Sequence, residues 1–462
     1  MLLSFEEFQT FEPQRETYAL FGYPLGHTMS PDLHAALFAA TGRDADYIAV
    51  TVPPEKLSDA LTLAREKLAG INLTIPHKKA VIPLLDEVDP SAADLHSVNT
   101  VAFRDCKAIG FNTDILGFAE SLEKDGISLR GKKVLLLGYG GAAAVMAYHC
   151  LCEGASLYIS GRNLEKADAL RDQLVEVLPG AKCFTCTRRR IPRDIQIVLN
   201  ATPLGMFPHE DKSPLYFLPH KVSYVFDAIY NPPVTALMKL ANPKRTKTRD
   251  GLFMLVMQAA RAQTIWYGAQ FADAACDSIL RRMYGQMARK RLHDKYHKRS
   301  IALCGFMGSG KTTVGRKVAR LTGLPFIDLD RYIEAQEGMT IPEIFAQHGE
   351  PYFRDLETKY VTEISEREEG CVLSLGGGTV LRPENVEIIK RTGLLILLDT
   401  PFFRIVKNLS HSTNRPLLEK EDKLAETRRL YQMRKPIYDQ VADCRVRSPR
   451  LGEVVERTLK SI

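Results

Sequence analysis

The tightest constraint on how this 462-residue chain can fold lies two thirds of the way along it. Gly305-Phe-Met-Gly308-Ser309-Gly310-Lys311-Thr312 fits G-x-x-x-x-G-K-[ST]. The apolar run Ser300-Ile-Ala-Leu-Cys304 leads into it, and Val314, Val318 and Leu321 follow at helical spacing. A strand, a glycine-rich turn and a helix in that order make a cradle of backbone N–H groups for phosphates. The glycines let the backbone close round the anion, Lys311 neutralises the outer phosphates, and the Thr312 hydroxyl is suited to Mg²⁺. With Gly308, Ser309, Gly310 and Thr313, these residues form the expected binding site for a nucleoside triphosphate, ATP or a relative.

An independent nucleotide signal precedes it. Gly131-Lys-Lys-Val-Leu-Leu-Leu-Gly138-Tyr-Gly140-Gly141-Ala142-Ala143 reads as a buried strand followed by G-x-G-x-x-A at a helix start. A second strand, Ser156-Leu-Tyr-Ile-Ser160, ends in Gly161-Arg162-Asn163. A site for NAD carries Asp or Glu there, for the ribose hydroxyls; an arginine suits the 2′-phosphate of NADP. Arg162, with Lys166 one turn on, therefore points to NADP(H).

Two such units need more than one core. Both halves alternate short apolar strands with amphipathic helices, which predicts α/β domains with parallel sheets. The basic run Arg281 to Arg299 reads as the end of one domain's last helix continuing into a connector, with the boundary near residue 290. The formal charge of +7 is modest, and no aromatic residues interleave with the basic clusters as a single-stranded nucleic-acid platform requires. Solvated helix faces and anionic small-molecule sites account for it better, and no nucleic-acid partner is expected. The acidic N-terminus is no signal peptide, no apolar run reaches membrane length, and nine scattered cysteines suit a reducing cytoplasm. Cys183-Phe-Thr-Cys186 has a redox or zinc spacing, but no second pair accompanies it.

Six ordered motifs carry a resemblance. They are Tyr18 to Pro31, with Thr28 and Ser30; Asn72-Leu-Thr74-Ile-Pro-His-Lys78; Val98-Asn99-Thr100; Gly110-Phe-Asn112-Thr113-Asp114; Asn200-Ala-Thr202-Pro-Leu-Gly205; and Asp250-Gly251 to Gln258. Over about residues 16 to 285 the chain resembles shikimate dehydrogenases. The resemblance implies NADPH-dependent reduction of 3-dehydroshikimate, with Lys78 and Asp114 as the acid/base pair. It implies substrate contacts from Thr28, Ser30, Thr74, Lys78, Asn99, Asp114, Tyr230 and Gln258. For the cofactor it implies Gly138, Gly140, Gly141, Ala142, Arg162, Asn163, Lys166, Thr202 and Gly251. Three positions depart from the family pattern: Thr28 for serine, Tyr139 for alanine and Gly161 for asparagine.

The second half has its own series: Phe326-Ile-Asp328-Leu-Asp330, Glu350 to Glu357 with Arg354, Leu375-Gly376-Gly377-Gly378, Asn414-Arg415-Pro416 and Arg434-Lys-Pro-Ile-Tyr438. Across residues 300 to 462 it resembles shikimate kinases, which implies ATP-dependent phosphorylation of the shikimate 3-hydroxyl. Asp330 is then the base toward substrate, Arg354 and Arg434 the carboxylate clamp, and Gly377 and Gly378 the floor beneath the ring. Lys311 and a lid residue, Arg415, serve the transferring phosphoryl group, and Thr312 and Asp328 serve Mg²⁺.

The expected organisation is an extension at 1–15, a substrate domain from 16–115 and 240–285, and a Rossmann NADP-binding domain at 116–239. A basic linker at 286–299 and a P-loop kinase domain at 300–462 complete it. The partners are small molecules, no membrane is expected, and oligomeric state is not legible. Two alternatives stay open. The first domain could oxidise quinate catabolically, which a biosynthetic kinase on the same chain argues against. A silent metabolite sensor is the other, but Lys78, Asp114, Lys311, Asp330 and Arg434 all stand.

Overall fold

Eighteen strands, sorted into three sheets, carry both glycine-rich turns at strand ends in this computed structural model, which describes residues 1–26, 28–409, 423–447 and 451–462. The chain divides into two units, Met1–Leu280 and Arg281–Ile462.

The first sheet comprises β1 (Leu2–Ser4), β2 (Thr17–Gly22), β3 (Asp46–Thr51), β4 (Gly70–Leu73), β5 (Glu87–Val88), β6 (Thr100–Arg104) and β7 (Lys107–Phe111), in the order β1-β3-β2-β4-β6-β7-β5. It is parallel except where β6 pairs antiparallel with β4 and β7. Residues 1–15 are not an extension. β1 pairs with β3, Leu2 opposite Ala49, and Ser4 caps the helix Phe5–Thr10 in a capping box with Glu7. Phe5 and Phe8 are buried, and Phe8 meets Phe21 edge to face at 5.5 Å. The start of the chain thus closes one sheet edge and part of its core.

The second sheet contains β8 (Lys133–Leu137), β9 (Ser156–Ser160), β10 (Cys183–Thr185), β11 (Ile197–Asn200), β12 (Tyr224–Asp227) and β13 (Lys247–Arg249). All are parallel, in the doubly wound order β10-β9-β8-β11-β12-β13. The strand order reverses between β8 and β11, so the crevice at their carboxyl ends is where such sheets take a dinucleotide. This sheet reaches Arg249, ten residues beyond the boundary expected at 239. Burial pushes the Cys183 thiol up to about 11 and raises that of Cys186, so neither is poised as a reactive thiolate.

In the second unit, β14 (Ser300–Cys304), β15 (Phe326–Asp328), β16 (Val372–Ser374), β17 (Gly393–Leu398) and β18 (Cys444–Val446) form a parallel sheet ordered β15-β16-β14-β17-β18. The P-loop leaves the central strand, β14. The expected linker is also corrected. The helix Asp273–Asp294 is continuous, and its Met283, Tyr284, Met287, Ala288, Arg291 and Leu292 are buried. A side chain at Gly285 would sit 2.1 Å from the Leu321 carbonyl, so glycine here permits close packing of two helices. Arg291 Nε donates to the Ile462 carbonyl at 3.1 Å, and Lys460 lies 4.5 Å from the Tyr284 ring centroid. Residues 281–294 belong to the core of the second unit. Among the described residues no helix is long and apolar enough to cross a membrane.

Candidate active sites

In the first unit a cavity of about 490 Å³ lies beyond the carboxyl ends of β2 and β4. Lys78, on the short helix His77–Ala80 after β4, meets Asp114, the first residue of the helix Asp114–Lys124. Lys78 Nζ donates to Asp114 Oδ2 at 2.6 Å. The helix N-terminus favours the carboxylate electrostatically. Asn99 Nδ2 donates to Asp114 Oδ1 at 2.9 Å, and Asn112 Oδ1 accepts from the Asp114 N–H at 3.1 Å. Asn99 is itself locked, because its Oδ1 accepts from the Thr113 N–H at 2.8 Å. The ammonium and carboxylate keep 27% and 17% exposure, enough to meet a ligand.

Thr28, Ser30, Thr74, Asn99, Tyr230 and Gln258 line the same cavity with Lys78 and Asp114. Thr28 and Ser30 hydroxyls lie 3.2 Å apart. Burial raises the Tyr230 phenol, which therefore offers a neutral hydroxyl. Sequence reading missed the layer beneath: Tyr47 donates to Asn72 Oδ1 at 2.8 Å, and Asn72 Nδ2 donates to Thr100 Oγ1 at 2.9 Å and the Asn99 carbonyl at 3.1 Å.

The dinucleotide cradle stands at the end of β8. Gly138 has φ +115°, and a Cβ there would lie 2.9 Å from the Ala201 carbonyl. At Gly140 and Gly141 an added Cβ would meet nothing within 4 Å. That open space fronts the start of the helix Gly141–Cys152, whose cap supplies no side-chain hydrogen bond. Open glycines before bare helix N–H groups fit a pyrophosphate. Ala142 is the second residue of the same helix. Arg162 and Lys166 are exposed and make no ion pair among the described residues, and Asn163 caps the next helix by accepting from the Lys166 N–H at 3.0 Å. Two unpaired cations suit a 2′-phosphate.

Thr202 donates to Asn200 Oδ1 at 2.7 Å, and Asn200 Nδ2 donates to Asp227 Oδ1 at 2.9 Å. Asp227 also accepts from Thr235 Oγ1 at 2.7 Å and the Ile229 N–H at 3.1 Å; burial lifts its carboxyl to about 6, against these bonds. Gly251 is buried, and a side chain there would strike the Ala228 carbonyl at 2.1 Å. The structure gives it a packing reason, the close approach of its helix to the segment carrying Tyr230.

In the second unit a cavity of about 630 Å³ is lined by Gly308, Ser309, Gly310, Lys311, Thr312, Thr313, Asp328, Asp330 and Gly377. Gly305, Gly308 and Gly310 have φ of +140°, +75° and +93°, which only glycine adopts without strain. Lys311 Nζ donates to the Gly305 and Phe306 carbonyls at 2.8 and 3.1 Å. Thr312 Oγ1 donates to Asp328 Oδ2 at 2.7 Å, and a hydroxyl beside a carboxylate is the hard oxygen set that Mg²⁺ takes.

Arg354 is gripped by two carboxylates on its own helix, Glu357 Oε2 at 2.5 Å and Glu350 Oε1 at 2.7 Å. Burial opposes its charge, and the two glutamates more than offset that and raise its pKa. Arg434 Nη1 donates to the Gly377 carbonyl at 3.3 Å, and Tyr438 OH donates to the same oxygen at 2.5 Å. The three glycines differ in their surroundings. A Cβ at Gly378 would fall 2.2 Å from Arg354 Nη1, so that glycine makes room for the guanidinium. Gly376, which sequence reading passed over, is pressed between Glu357 Oε1 and Asp330 Oδ1, at 2.6 and 2.8 Å from a Cβ placed there. Gly377 has only ordinary contacts. Glu357, fully buried and within the quoted motif, was likewise missed; its i,i+3 spacing to Arg354 was the available signal. Arg415 lies outside the described residues.

A lysine–aspartate pair in a polar cavity and a glycine-lined dinucleotide turn in one unit, with a P-loop cavity carrying carboxylates in the other, define a dinucleotide-dependent oxidoreductase joined to a small phosphotransferase. Comparison with known proteins names both. The family model described as "Shikimate dehydrogenase substrate binding domain" matches residues 20–101, and that described as "Shikimate kinase" matches residues 307–462. The chain is 38% identical over 276 residues to shikimate dehydrogenase (NADP(+)) of Moorella thermoacetica, covering 58% of this chain and 93% of that relative. Over that part, the chain belongs to the shikimate dehydrogenase family. Among solved structures, it is similar to Thermus thermophilus shikimate 5-dehydrogenase in complex with NADP(H) and shikimate, at 31% identity and TM-score 0.52, over 58% of this chain and 99% of that one. It is also similar to a chorismate mutase/shikimate 5-dehydrogenase fusion protein from Clostridium acetobutylicum, at 31% identity and TM-score 0.54, over 60% and 99% of the two chains.

Proposed function

We propose that this chain is bifunctional, reducing 3-dehydroshikimate to shikimate with NADPH and then phosphorylating shikimate with ATP. The observation that carries the first half is the Lys78–Asp114 pair at 2.6 Å, inside a cavity otherwise lined by hydroxyl and amide groups. A polyhydroxy keto-acid needs such a lining, and reduction of its carbonyl needs a proton donor beside the oxygen.

NADPH, when bound, supplies the hydride. Lys78 gives a proton to the developing alkoxide while Asp114 holds the ammonium in place and accepts from a ring hydroxyl. Thr28 and Ser30 donate to the substrate carboxylate, and Asn99, Thr74, Tyr230 and Gln258 orient the ring. Asn99 also keeps Asp114 from rotating away, so the pair is fixed before substrate arrives.

In the second half Asp330 takes the substrate hydroxyl proton, and Arg354 and Arg434 clamp the carboxylate, a task suited to a planar fork of donors. Thr312 and Asp328 would hold Mg²⁺, directly or through water, and Lys311 faces the phosphates; Arg415 adds a second cation by resemblance. Catalysis here is positioning and charge stabilisation. Withdrawal of shikimate by the kinase draws the reversible reduction toward synthesis. The composition suits a cytoplasmic enzyme.

One incubation of the purified chain with 3-dehydroshikimate, NADPH and Mg-ATP tests the whole reading. Shikimate 3-phosphate is the expected product. Phosphoryl transfer from ATP to added shikimate without reduction of 3-dehydroshikimate, or preferential oxidation of quinate, would overturn the first half.

A further inference from the structure

The phosphate loop and the segment expected to read the 2′-phosphate meet at one point, and two departures from the family pattern meet there with them. Tyr139 stands between Gly138 and Gly140, and Gly161 stands immediately before Arg162. A Cβ at Gly161 would fall 2.5 Å from Tyr139 Cε1 and 2.6 Å from Cδ1, well inside any tolerated contact. The ring occupies the space that a side chain at 161 would need.

It is not free to give way. Tyr139 is partly buried and packs against the core of the second sheet. The loop beneath it is tied to β9, since the Gly138 N–H donates to the Ser160 carbonyl at 2.9 Å. Asn163, two residues beyond Gly161, is fixed as a helix cap. Arg162 therefore sits between an aromatic wedge and a capped helix, with its guanidinium unpaired among the described residues.

We propose that Tyr139 and Gly161 act as one coupled pair that sets the position of Arg162, making Tyr139 a positioning residue for discrimination between NADPH and NADH. This rests on the dehydrogenase reading above. The ring acts by volume, so phenylalanine serves as well as tyrosine. NADH lacks the phosphate that Arg162 meets, and its binding depends little on the wedge.

The test is direct titration of NADPH and NADH by nicotinamide fluorescence, without the second substrate, on the full chain. Thermal melting followed by the fluorescence of Trp266, the chain's single tryptophan, which lies in the first unit, reports that this unit is folded in each variant. Tyr139→Ala is expected to weaken NADPH about tenfold, the scale of one displaced charge-assisted contact, and NADH less than about twofold. Tyr139→Phe keeps the NADPH constant within about twofold. Gly161→Ala alone weakens NADPH about tenfold by collision with the ring, and the double variant Tyr139→Ala/Gly161→Ala is no weaker than Tyr139→Ala. Multiplicative losses in the double variant would overturn the coupling. Equal losses for both cofactors, or a Tyr139→Phe variant as weak as Tyr139→Ala, would overturn the positioning role. An unaltered chain that binds NADPH but does not reduce 3-dehydroshikimate would sink the functional reading and leave this one standing; failure to bind NADPH would overturn both.

Discussion

The two sites solve opposite electrostatic problems. At the first, one cation and one anion sit 2.6 Å apart in a lattice of neutral amides and hydroxyls. At the second, the charges are dispersed: Lys311 donates to two backbone carbonyls and Arg434 to a third, Asp328 accepts from Thr312, and Glu350 and Glu357 are committed to Arg354. The difference follows from the chemistry. Moving a proton needs a paired acid and base whose charges change little in sum. Moving a phosphoryl group needs surplus positive charge where negative charge spreads.

The largest expected effect tests the second half of that contrast. Lys311→Ala should cut kinase turnover by at least about 10³-fold, the scale of losing a transition-state cation in phosphoryl transfer, with dehydrogenase turnover unchanged. Retained phosphorylation would mean that the charge is supplied elsewhere. Next, Lys78→Ala should reduce dehydrogenase turnover by about 10²- to 10⁴-fold and leave the kinase near normal. If most reductase activity survived, the paired-charge account of the first site would be wrong.

A smaller effect separates charge from placement. Glu357 accepts from Arg354 with one oxygen and from Thr379 Oγ1 with the other; Glu357→Gln keeps only one of these acceptors and loses the charge, which loosens the guanidinium, so KM for shikimate should rise about tenfold with a lesser change in kcat. A fall in kcat alone would put Glu357 in the chemistry instead.

A truncation asks where the second unit begins. A kinase fragment starting at residue 298 loses Met283, Tyr284, Met287 and Leu292, each contributing roughly 1.5–3 kcal/mol by burial, against a net stability of about 5–15 kcal/mol for a typical domain. It should be insoluble or melt far below a fragment starting at residue 279. Equal melting would show that the helix is dispensable.

The gentlest test concerns Asp227. Its folded pKa, about 6, lies above the ordinary 3.8, so the native state binds the proton more tightly than the unfolded one. The stability this adds is full below the unfolded value and is lost as pH rises through about 6. Compared with Asp227→Asn, the unaltered chain should gain a few degrees in relative Tm between pH 7.5 and pH 5. A constant difference would mean that the carboxyl is not held up by burial.

How much of this was legible depends on how local the cause is. The P-loop, the dinucleotide turn and Arg162 could be read because phosphate recognition imposes fixed spacing along a single stretch of chain. β1 could not: three residues become a strand only because β3 lies some forty residues on, although the Ser4-x-x-Glu7 capping box was a readable hint. The run after Arg281 misled by composition. A basic helix looks solvated until the carbonyl of Ile462, at the far end of the second unit, is seen to accept from Arg291. Tyr139 and Gly161 each looked like a weakness in a motif. Each makes sense only beside the other, and the contact joins residues from two different turns.

Lys311 has a further consequence. Its ammonium donates to the carbonyls of Gly305 and Phe306, so the lysine also fastens the turn from which it projects. Any replacement at 311 therefore has two effects, a missing charge toward phosphate and a loosened turn. Nucleotide affinity set against the thermal stability of the kinase half would tell them apart.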